Sequence, residues 1–368
     1  MVETLRILWF NWRCVKHPEA GGAEVYTFEI AKRLVKMGHE VTIITSRPNG
    51  LSPHEIIDGI EVIRDGGTYT VYIKARKIYE EKFRGKVDIV IDEINSVPFF
   101  TIRYVKEPVV ALIHQLMREY WLLGIKPPIS WIGYLLEPKV LRMYRKVPTI
   151  TVSESTKKDL EKLGFEKVHI VPNGLNISPL DRIPEKEKIP TIIYLGRLKK
   201  TKRPDHAVSA FKHVVEEVSD ARLWIVGDGP YREKLQNLVK KMHLLDKVVF
   251  FGRVTEEVKY ELLKKAWILV VPSVREGFGL VVLEANAMAT PVIGYNVPGL
   301  KDSVKHMETG ILVESGNIEA LAKTTTQLLT DINLRNRLAK NALKHAQQYN
   351  WNRSTEYFIK VIKGITHE

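Results

Sequence analysis

The sequence contains very little cysteine and no long hydrophobic run. Cys14 is the one cysteine in 368 residues, so the chain has no means of forming an intramolecular disulfide or a thiolate zinc site. No stretch approaches the ~18 consecutive apolar residues that a membrane-spanning helix needs. The opening residues combine an acidic side chain with a short apolar run, which is typical of a strand and not of a signal peptide. We therefore expect a cytoplasmic protein, and peripheral attachment to the inner face of the cell membrane stays open.

Several motifs of metal, nucleotide and nucleic-acid chemistry are absent as well. The chain has no Asp-x-Asp, no GxxxxGK[ST], no HExxH and no GxSxG. It also lacks zinc-finger and RNA-recognition patterns, which argues against a nucleic-acid partner. Positive charge is abundant: 56 lysines and arginines against 43 acidic residues leave a net charge of +13. This excess indicates an anionic partner, such as lipid or the phosphates of a small molecule, although a generally basic surface explains it equally well.

The alternation of strands and helices predicts an α/β fold in two domains. Short apolar runs such as "LRILWF" are followed by amphipathic helical patterns, which implies parallel sheets covered on both faces. Residues 171–190 hold four prolines and an Asn-Gly pair without any period, which marks a linker. We therefore predict two doubly wound, Rossmann-like parallel-sheet domains, residues 1–174 and 175–352, facing each other across a ligand-binding cleft.

One stretch, "VREGFGLVVLEANA", places two glutamates eight positions apart. Its glycines delay the start of a helix until Leu280, so Glu276 lies on the preceding loop and Glu284 about a turn inside the helix. Backbone N–H groups at such a helix start suit a phosphate, and carboxylates accept hydrogen bonds from sugar hydroxyls. The alternative is that Glu276 complements the helix dipole and Glu284 is a solvated helix residue. A glycosidase acid–base pair fits this placement poorly.

Cations and glycines follow other predicted strands. In "YLGRLKKTKRPD", Gly196 turns the chain and five cations follow, where arginine and lysine can hold a diphosphate. A solvated basic surface explains some of the five. Gly21 and Gly22 open the first helix and can present bare N–H groups to an anion, but they do not form GxGxxG. His114 ends a strand and Gly227 belongs to the tight turn "GDGP"; an ordinary structural role is the competing interpretation for each of these residues.

Segment 117–146 interleaves aromatic and basic residues. It contains Trp121, Trp131 and Tyr134 among leucines, lysines and arginines. This mixture suits a membrane interface or an apolar acceptor molecule. Burial of the same apolar residues as helix faces is the alternative.

Taken in order, these motifs resemble one known family. The order is Gly-Gly after the first strand, a histidine at a mid-domain strand end, "VPNG", "GRL" with a lysine, "GDGP" and "EGFGLVVLEA". It resembles the GT-B-fold glycosyltransferases of family 4 (glycosyltransferase group 1) over nearly the whole chain. The resemblance implies a retaining, metal-independent hexosyltransferase that uses a nucleoside-diphosphate sugar. It also implies an acceptor-side N-terminal domain, a donor-binding second domain, and a helix at 353–368 that crosses back onto the N-terminal domain.

The resemblance further implies roles for individual residues. The catalytic set would be His114 near the reacting sugar, Glu276 at the donor sugar, and Arg197 and Lys202 at the diphosphate. Glu284 would hold the ribose hydroxyls of the donor. The remaining donor-binding residues would be Gly21, Gly22, Gly196, Gly227, Arg253, Val254, Gly277, Phe278, Gly279 and Leu280. No residue is assigned as a nucleophile, no metal or cofactor is expected, and the acceptor would attack on the face that the phosphate leaves.

Some features depart from the family pattern or stay open. Pro298 before Gly299, Asp302 in place of a glutamate, and Asn176 in place of an aspartate differ from many members. The alternative functions are a sugar-nucleotide epimerase, a phosphorylase, or a non-catalytic binder of a sugar nucleotide or polyanion. The motifs do not encode the donor base (UDP, GDP or ADP), the sugar, the acceptor or the oligomeric state. The basic charge and segment 117–146 favour a lipid-linked or membrane-presented acceptor.

Overall fold

The chain passes between two structural units more than once. The computed structural model describes residues 4–366. The first unit contains the residues up to Arg118, Ile132–Gly174 and the residues from Asn350 on, and the second contains Glu119–Trp131 and Leu175–Tyr349. This division differs from the predicted one in Glu119–Trp131, which was expected in the N-terminal domain, and in residues 350–352, which were expected in the second domain. A bilayer-spanning helix is not found among residues 4–366.

In the first half of the chain, the described residues form eight strands and five helices. The strands are β1 (Arg6–Phe10), β2 (Glu40–Thr45), β3 (His54–Ile57), β4 (Ile60–Arg64), β5 (Ile89–Glu93), β6 (Val109–Leu112), β7 (Thr149–Thr151) and β8 (Val168–Ile170). The helices are α1 (Gly22–Lys36), α2 (Val71–Ile78), α3 (Glu119–Gly124), α4 (Ile129–Leu141) and α5 (Glu154–Lys162). A π turn (Tyr79–Phe83) and two 3₁₀ turns (Thr101–Arg103, Arg142–Tyr144) complete this half.

The eight strands make one sheet in the order β3-β4-β2-β1-β5-β6-β7-β8. All neighbours are parallel except β3 and β4, which form an antiparallel hairpin at one edge. The interior strands are almost fully buried, as expected for parallel strands that are covered on both faces. The strand order reverses between β1 and β5, so this unit offers its ligand-binding position at the carboxyl ends of those strands.

The second half of the chain repeats the alternation around a six-stranded sheet. The strands are β9 (Thr191–Leu195), β10 (Arg222–Val226), β11 (Val248–Gly252), β12 (Ile268–Val271), β13 (Val292–Tyr295) and β14 (Gly310–Val313). The helices are α6 (Pro204–Glu217), α7 (Arg232–Lys241), α8 (Glu256–Lys265), α9 (Leu280–Ala287), α10 (Leu300–Ser303), α11 (Ile318–Thr330), α12 (Ile332–Ala346) and α13 (Trp351–Thr366), and Lys200–Lys202 is a 3₁₀ turn. The order β11-β10-β9-β12-β13-β14 is parallel throughout, with its reversal between β9 and β12. The prediction of two doubly wound parallel-sheet units is confirmed.

The predicted linker is an irregular segment that is anchored to the second unit. Between β8 and β9 the described chain contains no helix or strand. The N–H of Leu180 donates to the carbonyl of Ala287 at 2.9 Å, and the Leu180 side chain packs against a small apolar cluster that includes Leu343. The lack of sequence periodicity in this segment therefore reflects anchoring by single contacts, not by regular structure.

The last helix belongs to the first unit, as predicted. α13 begins at Trp351 and runs to Thr366; the final two residues of the predicted helix, 367–368, lie outside the described residues. The ring of Phe358 stacks on that of Trp9 with 5.3 Å between centroids, and Trp351 packs against Tyr26. These buried aromatic contacts hold the C-terminal helix on the N-terminal sheet and on α1.

Candidate functional site

The predicted donor-binding residues of the second unit lie at one edge of its sheet. β11, β10, β9 and β12 are parallel neighbours in that order. Gly196 follows β9, Gly227 follows β10, Arg253 follows β11, and Glu276 lies on the loop after β12. Because the carboxyl ends of parallel strands meet at the same edge, the fold brings these residues to the position where ligands bind in such sheets.

Glycine is required where the turns after β9 and β10 approach each other. A Cβ atom on Gly227 would lie 2.1 Å from the carbonyl oxygen of Gly196, and Gly227 has a φ of +127°. The N–H of Gly227 donates to the carbonyl of Gly252, the last residue of β11, at 2.7 Å. Three strand ends are therefore in direct backbone contact, and any side chain at position 227 would separate them.

Lys202 and Glu276 form a mostly buried ion pair at this edge. The Nζ of Lys202, which ends the 3₁₀ turn after β9, lies 2.5 Å from the Oε1 of Glu276. Their side chains are only 19% and 14% exposed. Burial lowers the pKa of Lys202, but the charge of Glu276 and its hydrogen bond to Lys202 outweigh burial, and the pKa is raised above its ordinary value. Lys202 is therefore a fixed cation throughout the neutral pH range.

The other cations after β9 have different surroundings. Arg197 is exposed, and it lies close enough to Lys202 for its positive charge to oppose the rise in that lysine's pKa. The guanidinium of Arg203 turns away to the ring of Tyr295, 5.6 Å from its centroid. Lys200 is exposed. The fold thus brings Arg197 and Lys202 together, and Arg203 has a packing role.

The loop that carries Glu276 is held by α3, which the sequence did not place in this unit. The Nε of Arg275 donates to the Oε2 of Glu119 at 2.7 Å, and the hydroxyl of Tyr120 donates to the Arg275 carbonyl at 2.6 Å. The sequence indicates no role in the site for Glu119 or Tyr120. Linear spacing offers no signal for this contact, because it joins residues more than 150 positions apart.

The glycine-rich loop leads into α9 as predicted. Gly279 precedes the helix with a φ of +92°, which favours glycine, and Leu280 is the first helical residue. Gly277 is half-buried on the loop. The ring of Phe278 is buried against Tyr349, with 5.5 Å between centroids, so the backbone of this residue is the part that remains for a ligand.

The residues that depart from the family pattern at 295–304 support the same loop. The N–H of Glu276 donates to the carbonyl of Pro298 at 3.0 Å. A Cβ on Gly299 would lie 2.1 Å from the carbonyl oxygen of Glu276, and the Oδ2 of Asp302 accepts from the N–H of Gly299 at 3.0 Å. The segment thus fixes the backbone beneath Glu276. Asp302, although shorter than the glutamate of many family members, still reaches the N–H of Gly299 at the start of α10.

Glu284 is mostly buried and pairs with Lys259, a residue that sequence analysis did not single out. The Nζ of Lys259 lies 2.7 Å from the Oε1 of Glu284 and 2.7 Å from the Oε2 of Glu256. Burial raises the pKa of Glu284, and the positive charge of Lys259 opposes that rise. The alternative that Glu284 is a solvated helix residue is therefore wrong. Arg253 and Val254 lie just before α8, the helix that supplies Lys259.

In the first unit, Gly21 and Gly22 lie at the start of α1, but one of their N–H groups is already bonded. The N–H of Gly21 donates to the Oε2 of Glu24 at 2.7 Å, and Glu24 is buried 3.3 Å from the Nε of Arg13. The expectation of bare N–H groups at both glycines is thus wrong for Gly21. A glutamate three residues after the residue that precedes a helix commonly accepts a hydrogen bond from that residue's N–H. The spacing of Gly21 and Glu24 was visible in the sequence.

His114 lies just past the end of β6 and is bonded to a buried carboxylate. Its Nε2 is 3.2 Å from the Oε1 of Glu93, the last residue of β5. The ring of Tyr26 meets the imidazole edge-on with 5.1 Å between centroids, and the His114 carbonyl accepts from the hydroxyl of Thr156 at 3.1 Å. The sequence singled out His114 but not Glu93, which looks there like an ordinary strand residue.

Two family models match consecutive parts of the chain. The model described as Glycosyltransferase Family 4 matches residues 20–178, and that described as Glycosyl transferases group 1 matches residues 180–345. The chain belongs to glycosyltransferase family 4. The resemblance drawn from the motifs is confirmed, and with it the GT-B fold and the assignment of this family 4 protein to the glycosyltransferases.

Individual relatives agree with this membership. The family 4 chain is 29% identical over 350 residues to the N-acetyl-alpha-D-glucosaminyl L-malate synthase of Bacillus anthracis, with 89% of each chain covered. Its fold is similar to that of sucrose-phosphate synthase from Thermosynechococcus elongatus, with a TM-score of 0.82, 21% identity and 98% of each chain covered. It is also similar to Anabaena Alr3699/HepE in complex with UDP-glucose, with a TM-score of 0.75, 15% identity, and 98% of this chain and 100% of that one covered.

Proposed function

We propose that this family 4 glycosyltransferase moves a hexosyl unit from a nucleoside-diphosphate sugar to an acceptor hydroxyl, with retention of configuration and without a metal ion. The observation that carries the proposal is the Lys202–Glu276 pair beside Arg197 at the carboxyl edge of the second sheet. It combines a permanent cation for a diphosphate with a carboxylate for a sugar hydroxyl. The complex of the structurally similar Anabaena protein with UDP-glucose supports a nucleotide-sugar donor.

The two cations match the charge that such a reaction creates. When the bond between C1 of the sugar and the diphosphate oxygen breaks, the electron pair stays on the diphosphate. A cation fixed in place before the reaction stabilises that developing charge more in the transition state than in the ground state. Arginine is always protonated, and the raised pKa of Lys202 keeps it charged, so these side chains would perform the role that a metal ion has elsewhere.

Retention follows if the acceptor attacks on the face that the diphosphate leaves. The acceptor oxygen then bonds to C1 as the C1–phosphate bond breaks, and the hydroxyl proton passes to an oxygen of the departing diphosphate. This step balances without a nucleophile from the protein. Glu276 would orient the donor: Lys202 occupies its Oε1, and its Oε2 would accept a hydrogen bond from a sugar hydroxyl.

The acceptor in this proposal is lipid-linked or presented at a membrane, and α4 is the surface that would meet that membrane. Apolar side chains of α4 are strongly exposed, among them Leu135 at 66% and Trp131 at 59%. Exposed cations lie on and around the helix: Lys126, Lys139, Arg142, Arg145 and Lys146. Glu137 is the one acidic residue of 120–146, and it is buried. An apolar helix surface surrounded by cations suits the interface of an anionic bilayer.

Product analysis tests the reaction. The full chain is incubated with UDP-, GDP- and ADP-sugars in the presence of EDTA, with and without a panel of glycan and lipid-linked acceptors. We expect release of the nucleoside diphosphate that depends on the acceptor, and a product whose anomeric configuration matches that of the donor. Formation of an epimeric sugar nucleotide without acceptor would identify an epimerase, and donor binding without turnover would identify a non-catalytic binder.

Vesicle sedimentation tests the membrane surface separately. The full chain should pellet with phosphatidylglycerol vesicles at low salt but not with phosphatidylcholine vesicles, since anionic lipid attracts the cations around α4. Leu135→Ser should weaken the pelleting. Ile73→Ser is the matched control, because Ile73 is 74% exposed on α2 of the same unit and should leave pelleting unchanged. No pelleting with the anionic vesicles would remove the membrane from the proposal.

A further inference from the structure

We propose that Glu93 is a positioning residue for His114: it fixes the tautomer of the imidazole so that Nδ1 is presented as a hydrogen-bond acceptor. The partner of Nδ1 would be a hydroxyl of the bound sugar or acceptor, and this choice of partner rests on the proposed function. The inference about the tautomer itself rests only on the geometry around Glu93, which is fully buried at the end of β5.

One oxygen of Glu93 is surrounded by groups that donate. The Oε2 atom accepts from the Nε1 of Trp9 at 2.8 Å, from the Nδ2 of Asn11 at 2.7 Å and from the hydroxyl of Thr27 at 2.6 Å. The indole N–H of Trp9 can only donate. The orientation of the Asn11 amide is also determined, because its Oδ1 accepts from the backbone N–H of Arg13 at 3.2 Å, so its nitrogen faces Glu93.

These contacts assign the hydrogen between Glu93 and His114. All three groups donate to Glu93, which is the acceptor role of a carboxylate, so its free oxygen Oε1 also faces His114 as an acceptor. The 3.2 Å between its Oε1 and the Nε2 of His114 is a hydrogen-bond distance, so the hydrogen lies on Nε2 and the imidazole donates. In a neutral imidazole the other ring nitrogen, Nδ1, is left as the acceptor.

The surroundings of His114 hold the ring and its backbone in this orientation. Tyr26 packs edge-on against the imidazole, and its own hydroxyl donates to the carbonyl of Val171 at 3.2 Å. The hydroxyl of Thr156 donates to the His114 carbonyl. Since Glu93 ends β5 and His114 follows β6, the next strand in the sheet, the two residues meet at the carboxyl edge of the first unit.

Glu93→Gln should change His114 from the Nε2–H tautomer to the Nδ1–H tautomer, and not merely weaken its hydrogen bond. Trp9 and Asn11 still need an acceptor, so the glutamine oxygen must take the place of Oε2. The glutamine NH₂ group then occupies the position of Oε1 and donates to the Nε2 of His114. The imidazole hydrogen has to move to Nδ1, which changes the ring's free nitrogen from an acceptor to a donor.

Long-range ¹H–¹⁵N correlation spectra of the full chain with labelled histidine test this inference. The His114 signals are assigned by their loss in His114→Gln. We expect the Nε2–H tautomer in the wild-type protein and the Nδ1–H tautomer in Glu93→Gln. Asp92→Asn is the matched control: Asp92 is fully buried on the same strand, but its partners are Tyr144, Thr101 and Phe99, so the variant should keep the wild-type tautomer. An Nδ1–H tautomer in the wild-type protein would overturn the inference whether or not the variant folds.

Transfer kinetics provide the second readout. For a donor that the wild-type enzyme uses, Glu93→Gln should lower kcat by about 10²-fold, the usual scale for the loss of one oriented polar group in an active site, while the donor KM stays within a few-fold. Asp92→Asn should retain kcat even if its melting temperature falls as far as that of Glu93→Gln. Equal losses of kcat in both variants would assign Glu93 a purely structural role. Because the spectra need no turnover, failure of the proposed reaction and failure of this inference are distinguishable.

Discussion

Lys202 and Glu276 lie 74 positions apart in the sequence, yet the Nζ of one is 2.5 Å from the Oε1 of the other. The loops that carry them follow β9 and β12, the two strands between which the order of the second sheet reverses. The pair thus joins the cation proposed for the diphosphate to the carboxylate proposed for the sugar. Because both side chains are mostly buried, removal of either one leaves the other uncompensated.

Replacement of Lys202 by methionine is expected to lower the rate of sugar transfer by about 10²–10³-fold, the scale of losing one preorganised charge-stabilising group. Lys200→Met removes the same charge from an exposed neighbour in the same 3₁₀ turn and should keep the wild-type rate within a few-fold. Initial rates of nucleoside-diphosphate release measure sugar transfer by the two variants, and their melting temperatures check that they are folded. Similar losses in the two variants would show that bulk positive charge, and not Lys202, is what matters.

Glu284→Gln should weaken donor binding and leave kcat nearly unchanged. A carboxylate that accepts hydrogen bonds from ribose contributes about 1.5–3 kcal/mol, so the dissociation constant should rise roughly 10- to 100-fold. Glu256→Gln changes the exposed second partner of Lys259 and should leave donor affinity at the wild-type value. Calorimetric titration with the preferred nucleoside diphosphate compares them. Unchanged affinity in Glu284→Gln would remove Glu284 from the donor site.

Gly227→Ala is expected to destabilise the second unit. The added Cβ would lie 2.1 Å from the carbonyl oxygen of Gly196, in a backbone conformation that costs an L-residue about 1–3 kcal/mol before any clash. Gly364→Ala is the control: it lies in α13 with nothing within 4 Å of the added carbon, and alanine favours a helix by about 1 kcal/mol. Thermal unfolding should show a lower melting temperature for the first and an unchanged or higher one for the second. A wild-type melting temperature for Gly227→Ala would mean that the strand ends do not meet as described.

A pH-dependent stability is expected from Lys186, whose Nζ donates to the Oγ1 of Thr290 at 2.8 Å and to the carbonyl of Met288 at 3.2 Å. Burial, aided by the charge of Arg335, lowers the pKa of Lys186 from 10.5 to about 7. Between these two values the unfolded state binds more protons than the folded state. The free energy of unfolding therefore rises with pH across that window. The gain that comes from Lys186 is lost again as the pH falls to 7.

Lys186→Met should remove this contribution. The melting temperature of the variant minus that of the wild type should be most positive near about pH 6 and should fall as the pH rises toward about 10. Lys188→Met, which changes an exposed lysine in the same segment, should give a difference that does not follow this pH course. A flat difference for Lys186→Met would mean that the lysine titrates normally.

The sequence alone was sufficient to predict features that depend on residues close together in the chain. Gly277 and Gly279 disfavour a helix, so the start of α9 at Leu280 followed from residue types, and Gly279 has the positive φ that justifies its glycine. The alternation of apolar runs with helical patterns was sufficient in the same way for two doubly wound sheets. Periodicity works here because both faces of a parallel sheet must be covered.

Contacts between distant segments could not be derived in that way. Lys259 reaches Glu284 from a different helix, and Glu93 reaches His114 from the neighbouring strand. Neither residue carries a signal in its own stretch, because a lysine on a helix and a glutamate ending a strand are ordinary residues there. The same reason explains why Tyr120, thought to belong to the N-terminal domain, was not expected to hold the Arg275 loop.

The most direct test of the central claim is thermal unfolding of the full chain with UDP, GDP, ADP and their sugars, without added metal and in the presence of EDTA. A ligand that binds the folded state raises the melting temperature by mass action. We expect one nucleoside diphosphate to raise the melting temperature of the wild-type protein and of Lys200→Met, and to have little effect on Lys202→Met. No shift with any nucleotide, or an equal shift in Lys202→Met, would contradict a donor site built on the Lys202–Glu276 pair.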